Sequence, residues 1–294
     1  MNNNIATPWE QFKGLLFQCF PHHLISRVTF WFTRKSFPFV SHLIKGFIKL
    51  FDVNMGDALN NDINSYKTFN DFFTRQLKPE ARPIDSNESA IVSPCDGRIS
   101  QFGKIDDNDL IQAKGKTFTL NEFLTSSCKS TQEFIDGEFC TIYLSPRDYH
   151  RVHMACDAEL VEMIYVPGRL FSVAPYAPKT IDKLFARNER GVSIFKCKQG
   201  YMASVMVGAV NVAAIEMVWE GLITPPHLNT VVHYDYTNKS ITLNKGDHMG
   251  TFNMGSTVVL LFSKDIATFN DKLHIHKFLK MGENLASSQS LLNS

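Results

Sequence analysis

Between residues 91 and 262 the chain is written largely in short runs rich in Val, Ile, Thr and aromatic side chains, each closed by Gly, Pro, Asp or Asn. Runs of that length and composition suit strands on a pleated surface, and the punctuation supplies the turns between them. Strands are therefore expected at 91–93, 98–102, 138–144, 160–166, 192–197, 202–207, 210–218, 230–236, 240–243 and 257–262. One helix near 120–124 interrupts them. The stretch 203–219 is apolar, yet it holds Asn211 and Glu216 and is rich in Val, so it reads as paired buried strands rather than a bilayer span.

Upstream the character differs. Residues 8–51 mix large apolar side chains, many of them Phe, with Lys13, Arg27, Arg34, Lys35, Lys45 and Lys49, and Glu10 is the only acid among them. Val40, Leu43, Phe47 and Leu50 fall at helical spacing. A basic, aromatic, amphipathic segment suits either of two settings. Its rings can sink among acyl chains while Lys and Arg meet anionic headgroups, or it can form a helical layer on the protein's own core. The four basic residues between Val28 and Phe51 break the only apolar stretch there, so no transmembrane helix is expected. A further helix signal starts at Thr68, which has capping-box spacing to Asp71; Phe69, Phe72, Phe73 and Leu77 follow on one face, and Pro79 ends the run. The expected fold class is α+β: N-terminal amphipathic helices, then a β-rich, largely antiparallel core. The expected division is a helical membrane-associating region over 1–67 and a core over 68–294.

Composition narrows the function classes. An apolar share of 44% and a charged share of 20% are those of a folded protein, which excludes disorder and a coiled coil. A net charge of +1 gives no global field to recruit nucleic acid. The six cysteines contain no C-x-x-C pair, which removes zinc-ribbon and thioredoxin-like readings. Residues 1–8 lack the pattern of a secretory signal, so reduced cysteines in a cytoplasmic compartment are expected.

Three segments carry candidate chemistry. In Ser93-Pro94-Cys95-Asp96-Gly97-Arg98, the Asp-Gly pair by itself reads as a turn. The segment from Tyr143 to Met154 crowds His150, His153, Arg147, Arg151 and Asp148 together after an apolar strand. Such crowding needs solvent or partners. His-x-x-His without a third ligand is weak evidence for zinc, and in extended chain the two imidazoles point to opposite faces, which suits separate roles. In the third segment, Gly255-Ser256 opens the apolar run Thr257–Phe262. A Gly-Ser step alone is common, but it permits a specific reaction. Gly255 leaves its carbonyl carbon unshielded, and the adjacent Ser256 hydroxyl can attack it once a base takes the proton. An N-to-O acyl shift, β-elimination of the upstream chain and loss of ammonia would leave a pyruvoyl group.

These segments together resemble bacterial phosphatidylserine decarboxylases. The similarity is carried by Gly255-Ser256-Thr257, by Ser145-Pro146-Arg147-Asp148-Tyr149-His150-Arg151-Val152-His153, and by Pro94-x-Asp96-Gly97. It extends to Arg82-Pro83-Ile84-Asp85, to Val166-Pro167-Gly168-x-Leu170-Phe171-Ser172-Val173, to Leu184–Arg190 and to Ile223-Thr224-Pro225-Pro226. Met254 departs from the family's usual Leu, a change of little volume. The resemblance implies a pyruvoyl-dependent carboxy-lyase, with no metal and no pyridoxal phosphate. It implies self-cleavage into a β chain, 1–255, and an α chain, 256–294. Asp96, His153 and Ser256 would form the charge relay for that cut: His153 takes the Ser256 proton and Asp96 holds the imidazole. Ser256 would then become the pyruvoyl carbonyl that forms a Schiff base with the amine of phosphatidylserine and takes up electrons as CO2 leaves, giving phosphatidylethanolamine. His150 is the candidate acid that protonates the carbanion. Ser172, Arg190 and Thr257 are candidates for holding the substrate. The implied partners are an anionic-lipid membrane surface, the two chains of one precursor and a homodimer of the cleaved pair, and the implied location is the cytoplasmic face of the cell membrane. Two other readings compete. A serine hydrolase lacks its G-x-S-x-G elbow here, and a non-catalytic peripheral membrane protein leaves the three segments without a reason to co-occur.

Overall fold

The computed structural model describes residues 6–18, 20–113, 115–210, 214–225, 228–253 and 256–288. Three helices open the chain: α1 (Pro8–Gln18), α2 (His22–Thr33) and α3 (Val40–Phe51), followed by the short α4 (Phe69–Phe73). Then come β1 (Ala90–Val92), β2 (Gly97–Lys104), the hairpin of β3 (Asp109–Ala113) and β4 (Lys116–Thr119), and α5 (Leu120–Leu124). Strands β5 (Glu138–Leu144), β6 (Arg151–His153) and β7 (Ala158–Val166) lead to two single-turn helices, α6 (Ala177–Thr180) and α7 (Leu184–Arg187). Next are β8 (Arg190–Cys197), β9 (Gly200–Val207), β10 (Ile215–Met217), β11 (Gly221–Thr224), β12 (Val232–Asp235) and β13 (Thr242–Leu243). The chain closes with β14 (His248–Phe252), β15 (Ser256–Phe262), β16 (Ala267–Phe269), β17 (Phe278–Leu279) and β18 (Asn284–Ser288).

Among the described residues the strand ladders are antiparallel and form four sheets. The largest runs β12-β7-β8-β9-β15-β5-β2-β17, with β13 beside β7; a second runs β11-β10-β14-β6, a third β1-β18-β16, and β3-β4 stand alone. The helical front end followed by antiparallel sheets is the α+β architecture read from the sequence. In β15 every residue of the run Ser-Thr-Val-Val-Leu-Leu-Phe is buried, because β5 and β9 flank it and both faces are covered. That uninterrupted apolar run is what places the head of β15 deep in the molecule.

Two expectations change. The capping box of α4 forms as the sequence suggests, with Thr68 and Asp71 satisfying each other's backbone N–H groups, worth about 1 kcal/mol. The helix nevertheless stops at Phe73 rather than reaching Leu77. Residues 76–78 instead pair with 57–59 through Leu59 N–H to Gln76 O at 2.9 Å and Lys78 N–H to Asp57 O at 2.9 Å. A long-range ladder thereby replaces the last helical turn. The 203–219 stretch does supply two strands, but they are not paired with each other: β9 sits in the large sheet and β10 in the four-stranded one.

The helical region has its own small core, in which Val40, Ile44, Phe69, Phe72 and Phe73 pack with Phe47. Phe47 meets the rings of Phe69, Phe72 and Phe73 edge-on at 5.2 to 6.1 Å. The outer faces of α1–α3 stay apolar and exposed, with Leu50 at 77% and Leu15 at 67%. Among the described residues no helix is long and apolar enough to cross a membrane.

Candidate active site

Ser256 is the first residue of β15, paired with Leu144 at the end of β5, and it is fully buried. Among the described residues its Oγ has no hydrogen-bond partner. A buried hydroxyl without a partner is expensive to keep, by about 1–3 kcal/mol, a condition that Ser193, Ser204 and Ser288 share. Thr257 is also buried with an unpartnered Oγ1, but the strand period turns it to the opposite face. Met254 and Gly255, the latter half of the expected scissile bond, lie outside the described residues.

The end of β5 runs into the loop that carries the histidines. Asp148 organises it: its carboxylate accepts the Ser145 N–H at 2.7 Å and the Ser145 hydroxyl at 2.8 Å, while burial pushes its pKa up. His150 follows, fully buried, with its ring centroid 4.2 Å from that of Phe73 on α4. Its Nδ1–H donates to Asp148 O at 2.8 Å, which leaves Nε2 as a lone pair without a partner. Burial lowers its pKa to about 3, so the ring is neutral at pH 7. The His150 carbonyl accepts the Phe252 N–H at 2.9 Å, which ties this loop to the end of β14, just upstream of Ser256.

His153, at the end of β6, has both nitrogens engaged. Nδ1–H donates to Gly246 O at 2.8 Å, and Nε2 accepts the Tyr149 hydroxyl at 3.1 Å. Its ring lies 5.5 Å from that of His248, its partner across the β6–β14 ladder. Burial, chiefly, lowers the pKa of His153, while the hydrogen bond to Gly246 O and, more weakly, the Asp96 carboxylate pull it back up.

Asp96 is 2% exposed at the mouth of β2 and is held by a partner that sequence reasoning left without a role. Arg82 grips it from two sides, Nε to Oδ1 at 2.8 Å and Nη2 to Oδ2 at 2.5 Å, and the Met281 N–H adds a third bond at 2.9 Å. The remaining Arg82 nitrogen, Nη1, donates to Asp57 at 2.9 Å. Among the described residues, then, Asp96, His153 and Ser256 are not joined to one another by hydrogen bonds. The Asp-Gly pair is a buried ion-pair site, not the surface turn that its composition suggests in isolation.

The candidate substrate residues divide. Arg190 is 1% exposed, and its guanidinium donates to the carbonyls of Phe123, Ala186, Asn188 and Glu122, each at 2.8 Å. With four of its five N–H donors taken up by main chain, it pins α5 and α7 to β8 and is buried away from any open cleft. Ser172 uses its hydroxyl to accept the Ala174 N–H at 3.3 Å.

The segment 69–287 matches the family model described as phosphatidylserine decarboxylase. A protein of Alkalilimnicola ehrlichii is 51% identical over 87% of this chain and 90% of its own length. One of Vibrio cholerae is 50% identical over 83% of this chain and 87% of its own, and one of Actinobacillus pleuropneumoniae is 44% identical over 96% and 97%. All three carry the name phosphatidylserine decarboxylase proenzyme. The class is thus a decarboxylating lyase made as a precursor, and the chain belongs to the phosphatidylserine decarboxylase family.

Proposed function

We propose that the protein cuts itself between Gly255 and Ser256 and that the resulting pyruvoyl enzyme converts phosphatidylserine to phosphatidylethanolamine and CO2. The observation that carries this is Ser256 itself: a buried, unpartnered hydroxyl at the head of the central strand, in a chain of this family. That orphaned atom fits a residue destined to be rebuilt, because β-elimination would carry the Ser256 oxygen away on the new carboxylate of the upstream chain. When formed, the group supplies an electron sink for the bond broken as CO2 leaves.

The chain's own residues do the rest. His153 takes the Ser256 proton once the Tyr149 hydroxyl leaves Nε2, a rearrangement that gives up one hydrogen bond, worth about 1 kcal/mol net. Catalytic hydrogen bonds often tighten only in the reacting complex. Asp96 acts on His153 through its charge and is itself fixed by Arg82. His150, neutral and with a free Nε2 lone pair, accepts a proton from the substrate's ammonium and returns it to the α-carbon after CO2 departs. Residues 1–67 act as the membrane-associating region over a catalytic core of 68–294. The exposed Trp9, Leu15, Trp31 and Leu50, with Lys13 and Lys35 lying over the rings of Trp9 and Trp31, support contact with a lipid interface on the cytoplasmic side. A homodimer of the cleaved pair completes the reading.

Intact-mass spectrometry tests it. Purified wild type should resolve into 1–255 and 256–294, the latter without a free amino terminus, and Ser256→Ala should stay one chain. His153→Ala should also remain uncut. His150→Ala should be cut but lose about 10²–10⁴-fold in decarboxylation. A cleaved Ser256→Ala protein would sink the scheme.

A further inference from the structure

Three buried arginines in this protein solve the problem of a desolvated guanidinium in different ways. Arg82 is neutralised by Asp57 and Asp96, and Arg190 donates to four main-chain carbonyls. Arg75, which is 6% exposed, has neither. Its Nε has no partner, Nη1 reaches Phe72 O only at 3.5 Å and Nη2 reaches Arg147 O at 3.4 Å. Among the described residues it forms no ion pair. The Phe72 ring, 5.3 Å from the Arg75 Cζ, offsets part of the charge, but burying a cation without a carboxylate still costs several kcal/mol, which a bound counter-charge would relieve.

The cleft beside it shows what kind. Arg75 and Arg151 line a space of about 310 Å³ together with Asn60, Tyr66, Gln76 and Asp71. Arg151 donates from Nε to Thr74 O at 3.0 Å and, among the described residues, has no carboxylate partner. The one acid in the lining, Asp71, is already engaged by the Thr68 N–H of the α4 cap. Two guanidiniums and the Gln76 amide around an open cleft are donors suited to an oxyanion, the Tyr66 hydroxyl being already donated to Asn60 O, and Arg forks match phosphate oxygens in geometry. The cleft also adjoins the proposed chemistry. Arg151 is the residue after His150, and Phe73, two residues before Arg75, packs on the His150 ring. On its other side α4 borders an apolar groove of about 950 Å³ between α2 and α3, lined by Phe32, Leu43, Phe47 and Phe69. An anion with an acyl tail would satisfy both.

We propose that Arg75 and Arg151 hold the phosphodiester of the substrate's headgroup. This rests on the decarboxylase reading above, and it assigns the phosphate to residues that the sequence reading passed over in favour of Arg190. The test is calorimetric binding to the full-length protein of glycerophosphoethanolamine, a diester without a carboxylate, of glycerophosphoserine, and of inorganic phosphate. Arg75→Gln and Arg151→Gln should each weaken both diesters about tenfold or more, the range of a lost charge-assisted hydrogen bond. Arg151 is half-exposed, so its variant keeps the test decisive if Arg75→Gln does not fold. Unchanged affinity in Arg151→Gln overturns the proposal. So does loss confined to glycerophosphoserine, which would move the arginines to the carboxylate, or tighter binding of inorganic phosphate than of either diester, which would make this a free-phosphate site. Decarboxylation of phosphatidylserine vesicles by wild type is scored separately: its absence overturns the enzyme reading, whereas the anion site stands or falls on binding.

Discussion

At the residue scale Asp96, proposed as a relay member, is held in a buried ion pair with Arg82. Arg82 and Asp96 are buried to 9% and 3% side-chain exposure. Removing one partner of such a pair strands the other charge and typically costs about 3–5 kcal/mol. Arg82→Met should therefore lower the unfolding free energy by that order in urea titration, and should slow self-cleavage of the fraction that folds. Asp57→Asn should cost much less, since its side chain is 29% exposed and Asp96 still neutralises the arginine. The sequence made Asp96, His150, His153 and Ser256 visible because each sits in a dense local motif. Arg82 and Arg75 stayed hidden as functional groups because their meaning is a matter of pairing: one finds its carboxylates across the fold, the other finds none. No local pattern distinguishes those outcomes.

At the element scale the helical front end is where the sequence left two readings open, and the structure shows a core contact on one side and exposed apolar side chains on the other. Phe47, Val40 and Ile44 of α3 face the Phe cluster of α4, while Leu50 and Leu43 of the same helix face outward. An element with apolar groups on both sides has a core contact and a second apolar surface to cover. Wild-type protein should sediment with vesicles containing anionic lipid and be partly released by salt. Replacing Arg34, Lys35, Lys45 and Lys49 with Gln should weaken binding by roughly 1 kcal/mol per charge at most, without blocking cleavage. Arg34 should contribute least, because it lies 3.9 Å over the Phe30 ring and is half desolvated. Equal sedimentation of both proteins at every salt concentration would remove the interfacial reading. The strands were legible where β-branched residues run together, as in β5, whose bounds match the expectation residue for residue. The short β6, β14 and β18 were not, since residues such as His248-Met-Gly-Thr-Phe become a strand only through their ladder partners. The end of α4 was lost for the same reason.

At the scale of the whole molecule the sheet order is the part that local pattern could not supply, because it joins strands far apart in sequence. It also buries several imidazoles in their neutral form, and that carries a consequence for stability. Burial lowers His150 from the ordinary value of 6.5 to about 3 and His248 to about 4, the latter helped by the Arg151 charge; His153 is lowered too. In the unfolded chain these rings protonate below about 6.5, whereas in the folded protein they resist. Stability is therefore full above pH 6.5 and falls on acidification towards pH 4, by up to about 1.4 kcal/mol per unit for each histidine. Buried Asp148 and Glu138, whose pKa values are raised, oppose this only at the lower end of that range. The thermal midpoint should drop between pH 6.5 and 4.5, and His150→Gln should flatten the slope; a flat wild-type profile would contradict the neutral-histidine account.

The position of β15 adds one more consequence. The proposed cut falls just ahead of a strand laced to β5 and β9, while β17 is laced to β2, and β16 and β18 share a sheet with β1. The small chain so released is interleaved with the large one in two separate sheets and has no reason to leave. Once unfolded, however, the halves must find each other again as two molecules, without the high effective concentration that the uncut precursor enjoyed. Maturation in this architecture would thus act as a ratchet: the precursor can be melted and recovered, whereas the working enzyme gets a single folding.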